Sequence, residues 1–474
     1  METLQRTANR GSVSTGYDID NSTKFEADNT ERMYRAWGAG GGNDQTWTVS
    51  LWVKRTELGT LQHIWGAGVS GNDVLLVSFQ TDNTLKFRST KDASNDCVYV
   101  TNRVFRDTSA WYHIVVAVDT TSGTAGNRLR IYINGVEETS FSTETDFAQN
   151  DNTLHNANSS YMEIATAIGE ADRFCGYIAE VISISGSQLA PTTFGETDSD
   201  TGIWIPIEYT GSFPQNSVFL EFKDSSSLGT DTSGNDQTFT LQNISAADQA
   251  TDTPTNNFCT WLSDGTLFNV GTDNETFNEG GTRYKTRAGT GWTAVYPTQS
   301  FAGGKWYMEV KVNENSATNM YGAMPVKRIN SLQYQQYHHG QDVDGSIGIY
   351  ANNGQIYYGT AGSGGSGSAL SAGDIVGLAI DMENYKMYFA VNNTYVESGN
   401  PAGGSNGRDI EPEPYVFSTC HYTTTTVEDT NFGGYTAMSN THTNTDENGY
   451  GSFVYAPPSG FLACCTKNLA ENGG

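Results

Sequence analysis

Long apolar runs, basic clusters, helical periodicity and a cysteine framework are all missing from this 474-residue chain. The longest aliphatic runs, Val74 to Val77 and Ile114 to Val118, fall far below the roughly 18 consecutive apolar residues of a membrane helix, so no segment reads as a helical span. Positive charge is scarce. Lys and Arg number 26 against 53 Asp and Glu, a net charge of −27, and no basic run exceeds Lys54-Arg55 or Lys327-Arg328. A surface of that sign repels phosphate backbones, which excludes nucleic acid as a partner. Met1 to Gly16 is polar, with no apolar stretch after Arg6. Neither a secretory signal nor a transit peptide is expected, so the chain is read as made in a cytoplasm and not exported by the general route.

The six cysteines, Cys97, Cys175, Cys259, Cys420, Cys464 and Cys465, are too few and too scattered for a disulfide framework. Without a C-x-x-C pair they read as small buried thiols. Charged residues make up only 17% of the chain, and the polar remainder is Thr, Ser, Asn and Gly, which is not the composition of a charge-rich disordered protein.

What is present is β-structure. Short runs of β-branched and aromatic residues, bounded by Gly, Asn, Asp and Ser, predict strands at Trp47 to Val53, Val74 to Phe79, Thr84 to Arg88, Trp111 to Val118, Arg128 to Ile133 and Tyr177 to Ser185. The second half continues with Lys305 to Val312, Ser346 to Tyr350, Gln355 to Tyr358, Ile375 to Ile380, Lys386 to Val391 and Tyr415 to Cys420. In Lys305 to Val312 one face carries Trp306, Met308, Val310 and Val312, and the other carries Glu309 and Lys311. That alternation predicts antiparallel sheets with one solvated face. With 52 glycines and 11 prolines for turns, the expected class is all-β, built from β-sandwiches.

An internal echo divides the chain. Trp111 to Asp119 followed by Arg130 to Gly135 matches Gly373 to Asp381 followed by Lys386 to Asn393: in each, a strand closing on Asp precedes a strand closing on an Asn turn. Asn134-Gly135 and Asn392-Asn393 are turn formers that tolerate positive φ. The junction is placed near Pro254, and Gly359 to Gly367 reads as a flexible loop tip.

These residues resemble known families. Lys24-Phe25, Trp47 to Lys54, Trp111-Tyr112-His113 and Ile131 to Gly135 are similar to a laminin-G-like or pentraxin-like domain of the concanavalin A-like superfamily. Gly304 to Val310, Gly373 to Gly377 and Tyr388 to Asn392 resemble a SPRY domain, also a concanavalin A-like sandwich. The implied organisation is two tandem concanavalin A-like antiparallel β-sandwiches of jelly-roll type: an N-terminal arm at 1–16, a laminin-G-like domain at 17–196, a linking segment with short strands at 197–258, and a SPRY-like domain at 259–474. This order, with Leu220 to Asp224, Asp231 to Asn235, Asp252 to Phe258 and Pro457 to Phe461, resembles virion proteins of tailed bacteriophages, particularly marine ones.

Retaining glycoside hydrolases on such sandwiches need two carboxylates about 5 Å apart flanking one bond. No E-x-D-x-E run exists, and Glu163, Glu170 and Asp172 are spaced around a turn at Gly169. A G-x-S-x-G elbow is absent, and His338-His339 lacks an H-E-x-x-H context, reading instead as a solvated tip. No enzyme activity is expected. The resemblance brings calcium into consideration as the one metal, with Asp231 and Asn235 as candidate oxygen ligands, although Asp231 to Asn235 is also a simple turn. Asn444-x-Asp446-x-Asn448-Gly449 mimics the start of an EF-hand loop but has Tyr455 where a bidentate Glu belongs.

Glycan binding would use exposed aromatics, for which Trp65, Trp111, Tyr161, Trp292, Tyr337 and Tyr350 are candidates, each more simply a core residue. The favoured ligand-binding set is Tyr334, Tyr337, His338, His339 and Tyr350, in and beside the loop Gln333 to Asp344. The resulting expectation is a non-enzymatic virion protein, an appendage or fibre with lectin-like domains that attach to host-surface glycans. The alternative is a capsid decoration or head-fibre protein that stabilises the shell. Its partners would be coat or tail subunits and a host glycan, without membrane insertion, and the family implies a homo-oligomer such as a trimer. A cellular interaction module is the third reading, disfavoured by the laminin-G-like partner domain.

Overall fold

The computed structural model describes residues 16–37, 42–168, 171–263, 276–285, 292–313, 318–332, 339–340, 345–358, 362–364, 367–422 and 426–473. They form two compact units, one ending at Thr255 and the next beginning at Asn256, and each is a two-layer antiparallel β-sandwich. Among the described residues no helix is long and apolar enough to cross a membrane.

In the first unit, one sheet runs in the order Val136–Glu137, Leu129–Ile133, Trp111–Asp119, Thr46–Arg55, Gly176–Ser185, Ser22–Phe25, Gln249–Ala250, with Val218–Leu220 also on Gly176–Ser185. The other runs Phe141–Thr145, Ser94–Val104, Thr84–Lys91, Asp73–Phe79, Gln62–Ser70, Tyr161–Ile164, Arg32–Ala36, Thr240–Gln242. Val49, Leu51, Val53, Ile114 and Val116 from the first sheet meet Ala67, Leu75, Val77 and Phe87 from the second in a closed apolar core. Residues 197–258, read as a linking segment, thus give three strands to this sandwich. Val218–Leu220 lies within the run Val218 to Phe222, whose composition predicts a strand, whereas Thr240–Gln242 and Gln249–Ala250 are too short for an alternating pattern to show.

The Asn turns form as their residue types dictate. Asn134 and Gly135 have φ of 47° and 78°, and Asn392 and Asn393 have 48° and 63°. The echo extends to hydrogen bonds: Asn134 Oδ1 accepts from the His113 amide at 2.7 Å, and Asn392 Oδ1 from the Ile375 amide at 2.9 Å. Each turn therefore grips the start of the neighbouring strand.

Of the buried histidines of the first unit, His113 and His155 are fully enclosed. His155 lies among Trp37, Trp47 and Trp65, with ring centroids 5.6, 4.5 and 5.4 Å away, and its Nε2 meets Ser183 Oγ at 2.9 Å. His113 stacks on Trp52 at 4.5 Å. Trp204 Nε1 donates to its Nδ1 at 3.0 Å, so its proton sits on Nε2, 2.8 Å from Ser50 Oγ. Trp204 seats against Gly135, where a Cβ would come within 2.3 Å of the indole.

In the second unit, the larger sheet runs Thr276–Asn278, Arg283–Lys285, Val427–Asn431, Lys305–Val312, Ile375–Asp381, Lys386–Val391, Thr394–Tyr395, with Arg408–Asp409 on Lys386–Val391 and Leu462–Ala463 parallel to Lys305–Val312. Six strands face it: Trp292–Val295, Tyr415–Tyr422, Asn319–Pro325, Ile347–Tyr350, Ile356–Tyr358 and Gly362–Gly364. Trp306, Met308, Val310, Tyr321, Ile349 and Phe417 build the core between them. Inside it, Tyr321 donates to Glu428 Oε1 at 2.9 Å and Asn319 Nδ2 donates to the same oxygen.

The solvated face expected from Glu309 is not there. Glu309 is fully buried. Its carboxylate accepts from the amides of Val454 and Tyr455 at 2.9 and 2.7 Å and from Asn431 Nδ2 at 3.2 Å, and so holds the later chain against the sheet. A buried carboxylate must find donors, and here backbone amides supply them.

These buried groups make stability depend on pH in two opposed senses. Burial pushes His113 and His155 down to about 3 from 6.5, so their contribution is complete above 6.5 and is lost as pH falls towards 3, at roughly 1.4 kcal/mol per pH unit for each. Burial raises Glu428 to about 8 from 4.5, so its contribution is complete below 4.5 and is lost as pH rises through 8. Denaturant titrations across this range should show a shallower acid-side loss for His155→Gln and a flatter neutral-side loss for Glu428→Gln. Slopes identical to wild type would contradict both assignments.

Candidate functional site

The six-stranded sheet of the second unit has two faces, and its register decides which side chains share each. Tyr321, Ala323, Ile347, Ile349 and Phe417 point into the core. The alternate residues Met320, Met324, Val416, Cys420, Ala294 and Tyr296 form a separate apolar cluster on the opposite face, joined by the half-buried Trp292, Tyr350 and Tyr357. Cross-strand pairing sets these residues side by side: Trp292 lies opposite Tyr422, Cys420 opposite Met320, Met320 opposite Tyr350, and Gly348 opposite Tyr357.

The result is a row of four aromatic rings. Tyr422 to Trp292 is 5.4 Å between centroids, Trp292 to Tyr350 is 6.3 Å, and Tyr350 to Tyr357 is 5.5 Å. Met320 and Cys420 form its floor, at 1% and 2% exposure, while Tyr422 is 38% exposed. Neutral polar groups sit at one end, where Asn353 Nδ2 donates to Tyr357 Oη at 3.2 Å and Gln355 Oε1 at 3.3 Å. Partial burial raises the Tyr350 phenol above its ordinary value, so it stays a neutral donor and acceptor. Rings held by rigid strands with amide side chains beside them suit flat, hydroxylated, uncharged ligands.

Of the sequence candidates, Tyr350 is in this row and His339 lies on the same face. His339 is buried at 1% exposure, not a solvated tip. Its Nε2 is 3.2 Å from both the carbonyl and the hydroxyl of Ser418. It packs on Gly348, where a Cβ would come within 2.7 Å of the imidazole, which is why that strand position must be glycine. Tyr334, Tyr337 and His338 lie outside the described residues, as do Glu170, all of the 1–16 arm but Gly16, and most of the 359–367 tract. Trp65 and Trp111 are buried, and Trp111 Nε1 donates to Asp252 at 3.1 Å. Tyr161 is 36% exposed on the first unit. Tyr357 and Tyr422 were not singled out by sequence, since only the strand register reveals that they extend the row.

The candidate calcium residues are engaged within their own loop. Asp231 Oδ1 accepts from the amides of Phe219 and Ser233 at 2.8 and 3.0 Å, and Oδ2 from Ser233 Oγ and the Gln237 amide, both at 2.8 Å. Asn235 turns its Nδ2 to the carbonyls of Pro214 and Ser217 at 3.0 and 3.2 Å. Asp446 is held likewise, by the amides of Asn448, Tyr450 and Ala463 and by Asn468 Nδ2. Among the described residues no group of three or more His, Cys, Asp or Glu is placed to hold a metal ion. Glu163 pairs with Arg32 at 2.9 Å, and Asp172 stands 4.0 Å from His63 Nε2. All six cysteines are free and buried, and burial pushes the Cys465 thiol up to about 12.

A further concavity of about 360 Å³ lies among Leu370, Asp374, Asn392, Tyr395 and Glu397. Asp374 is tied to Asn392 Nδ2 and the Ser371 amide, both at 2.7 Å, and Glu397 to Arg408.

The family profile described as the concanavalin A-like lectin/glucanases superfamily, of laminin G type, matches residues 29–186. No curated protein matches the chain. Among solved structures it is similar to the SPRY domain of human HERC1, at 13% identity over 31% of this chain and 87% of that one, with a TM-score of 0.25. It is also similar to the native heptameric SAP-like pentraxin from Limulus polyphemus, at 14% identity over 37% and 80%, TM-score 0.28. A third is domain 4 of AbnA, a GH43 extracellular arabinanase from Geobacillus stearothermophilus in complex with arabinotriose, at 19% identity over 39% and 82%, TM-score 0.26.

Because donors already occupy both Asp231 oxygens, a calcium chelator should leave the melting temperature unchanged, whereas Asp231→Ala should cost about 1–3 kcal/mol by orphaning three amides. A fall in melting temperature on chelation would reverse that assignment.

Proposed function

We propose that the protein is a non-enzymatic carbohydrate-binding protein whose second unit stacks the rings of a neutral glycan on Trp292, Tyr350, Tyr357 and Tyr422. The aromatic row with adjoining amides carries the reading. The rings lie 5.4 to 6.3 Å apart with successive planes inclined by 39°, 56° and 88°, so they offer a saccharide a cleft of ring faces and edges, each contact contributing through dispersion and the polarity of the ring. The net charge of −27 disfavours acidic polysaccharides, which leaves neutral ones as the ligand class. The lectin-type profile over residues 29–186 is consistent with a protein built for sugar recognition.

The likeness in residue order to tailed-phage virion proteins supports a finer assignment: an appendage or fibre subunit, homo-oligomeric, joined to coat or tail subunits and turned towards a host-surface glycan. Immunogold labelling of intact particles with antibody to the second unit tests it. Label on the tail with blocked adsorption fits the appendage, label over the head fits shell decoration, and unlabelled particles reject a virion role.

In a neutral-glycan binding screen, Trp292→Ala and Tyr350→Ala should each weaken binding about tenfold, roughly 1.4 kcal/mol, while Tyr161→Ala on the first unit should not. Unchanged affinity in both row variants would remove the site, and no binding to any neutral glycan would remove the function.

A further inference from the structure

Lys24, Glu31 and Asp248 are enclosed together in the first unit. Their side chains are 1%, 2% and 10% exposed, and Lys24 Nζ lies 2.9 Å from both Glu31 Oε1 and Asp248 Oδ1. Lys24 and Glu31 are joined by one turn, and Asp248 comes from the far end of the unit's sequence. Lys24 is on the first strand, facing away from the core since its neighbour Phe25 faces in, and Glu31 follows the turn at 27–30 and directly precedes Arg32–Ala36. Asp248 closes a capping box with Ser245, just before Gln249–Ala250 pairs with Ser22–Phe25. Glu31 is fixed by the Glu26 amide at 2.8 Å and Asn29 Nδ2 at 3.1 Å, and Asp248 Oδ2 by the Ser245 amide at 2.7 Å. Nucleophile, electrophile and a second carboxyl are thus positioned before any reaction.

We infer that Lys24 and Asp248 condense to an intramolecular isopeptide bond, with Glu31 carrying the proton. For the reaction one proton passes from the Lys24 ammonium to the Asp248 carboxylate, giving amine and carboxylic acid, a transfer that enclosure away from water makes less costly. The Nζ lone pair attacks Asp248 Cγ. Glu31 takes the proton released from nitrogen and delivers one to the departing hydroxyl, so that an N–C bond forms, a C–O bond breaks and one water leaves. No oxidant, reductant or co-reactant is required. Burial pushes the Glu31 carboxyl up to about 7 even with Lys24 beside it, so both of its protonation states are accessible near neutrality, as a proton carrier requires. The product replaces buried charges by a neutral amide and fastens the first strand of the unit to its closing segment.

The nearby Lys54–Asp252 contact, at 2.7 Å, is a second buried Lys–Asp pair, with Trp111 Nε1 donating to its other carboxylate oxygen at 3.1 Å. The assignment goes to Lys24 and Asp248 because Glu31, which the step uses as its proton carrier, lies 2.9 Å from Lys24 Nζ.

Intact mass spectrometry of the denatured full chain tests the inference. The expected result is a mass lower by one water than the sequence encodes, and a protease digest containing one branched peptide that joins Lys24 to Asp248. The encoded mass overturns the proposal, and a branch at Lys54 and Asp252 overturns the assignment. Asp248→Ala should restore the encoded mass. Glu31→Gln, with its fold verified by circular dichroism, should accumulate the bond at least tenfold more slowly, and an unchanged rate would overturn the role of Glu31.

Discussion

Charge buried on the outer face of a sheet is the constraint on which the rest of this protein depends. A two-layer sandwich needs apolar residues only on its inner faces, yet in both units some strands carry ionisable groups outward and the chain returns to cover them. In the first unit Lys24 and Lys54 meet Asp248 and Asp252 on the closing segment. In the second, Glu309 holds the amides of Val454 and Tyr455. An uncovered strand would leave these groups in water at no cost; once covered, each must be paired, and an unpaired one costs several kcal/mol. The pairings therefore select one path for segments whose own sequence has little strand or helix pattern.

The same constraint explains what the sequence reveals. Long central strands such as Thr46–Arg55 and Lys305–Val312 are legible because their inner residues alternate over eight to ten positions, and the Asn turns because few residues accept positive φ. Thr240–Gln242 and Gln249–Ala250 are not, since two or three residues hold no period and their place depends on partners far along the chain. Glu309 misleads for a related reason. Alternation tells which face a residue is on, but not whether a distant segment covers that face.

The candidate site was half legible. Trp292 and Tyr350 stand out as aromatics near polar loops, but Tyr357 and Tyr422 become their neighbours only through the pairing of five strands, and Met320 between them is the hidden step. His339 shows the converse. Its polar surroundings suggested an exposed loop tip, whereas a glycine at 348 and the Ser418 carbonyl make room for it against the sheet.

The two kinds of polar group in this protein have opposite requirements. Glu309, Asp231 and Asp446 are saturated by protein donors, and a ligand that took one of their oxygens would have to displace an amide that has no other partner. They hold loops in place and are poor contacts for anything outside. The aromatic row makes no such demand. Among the described residues Tyr422 is 38% exposed and Trp292, Tyr350 and Tyr357 are half-buried, and apolar area that a ligand covers there adds dispersion without displacing an amide. On the proposed reading, recognition falls to uncharged surfaces, while carboxylates such as Glu309, Asp231 and Asp446 keep the scaffold closed.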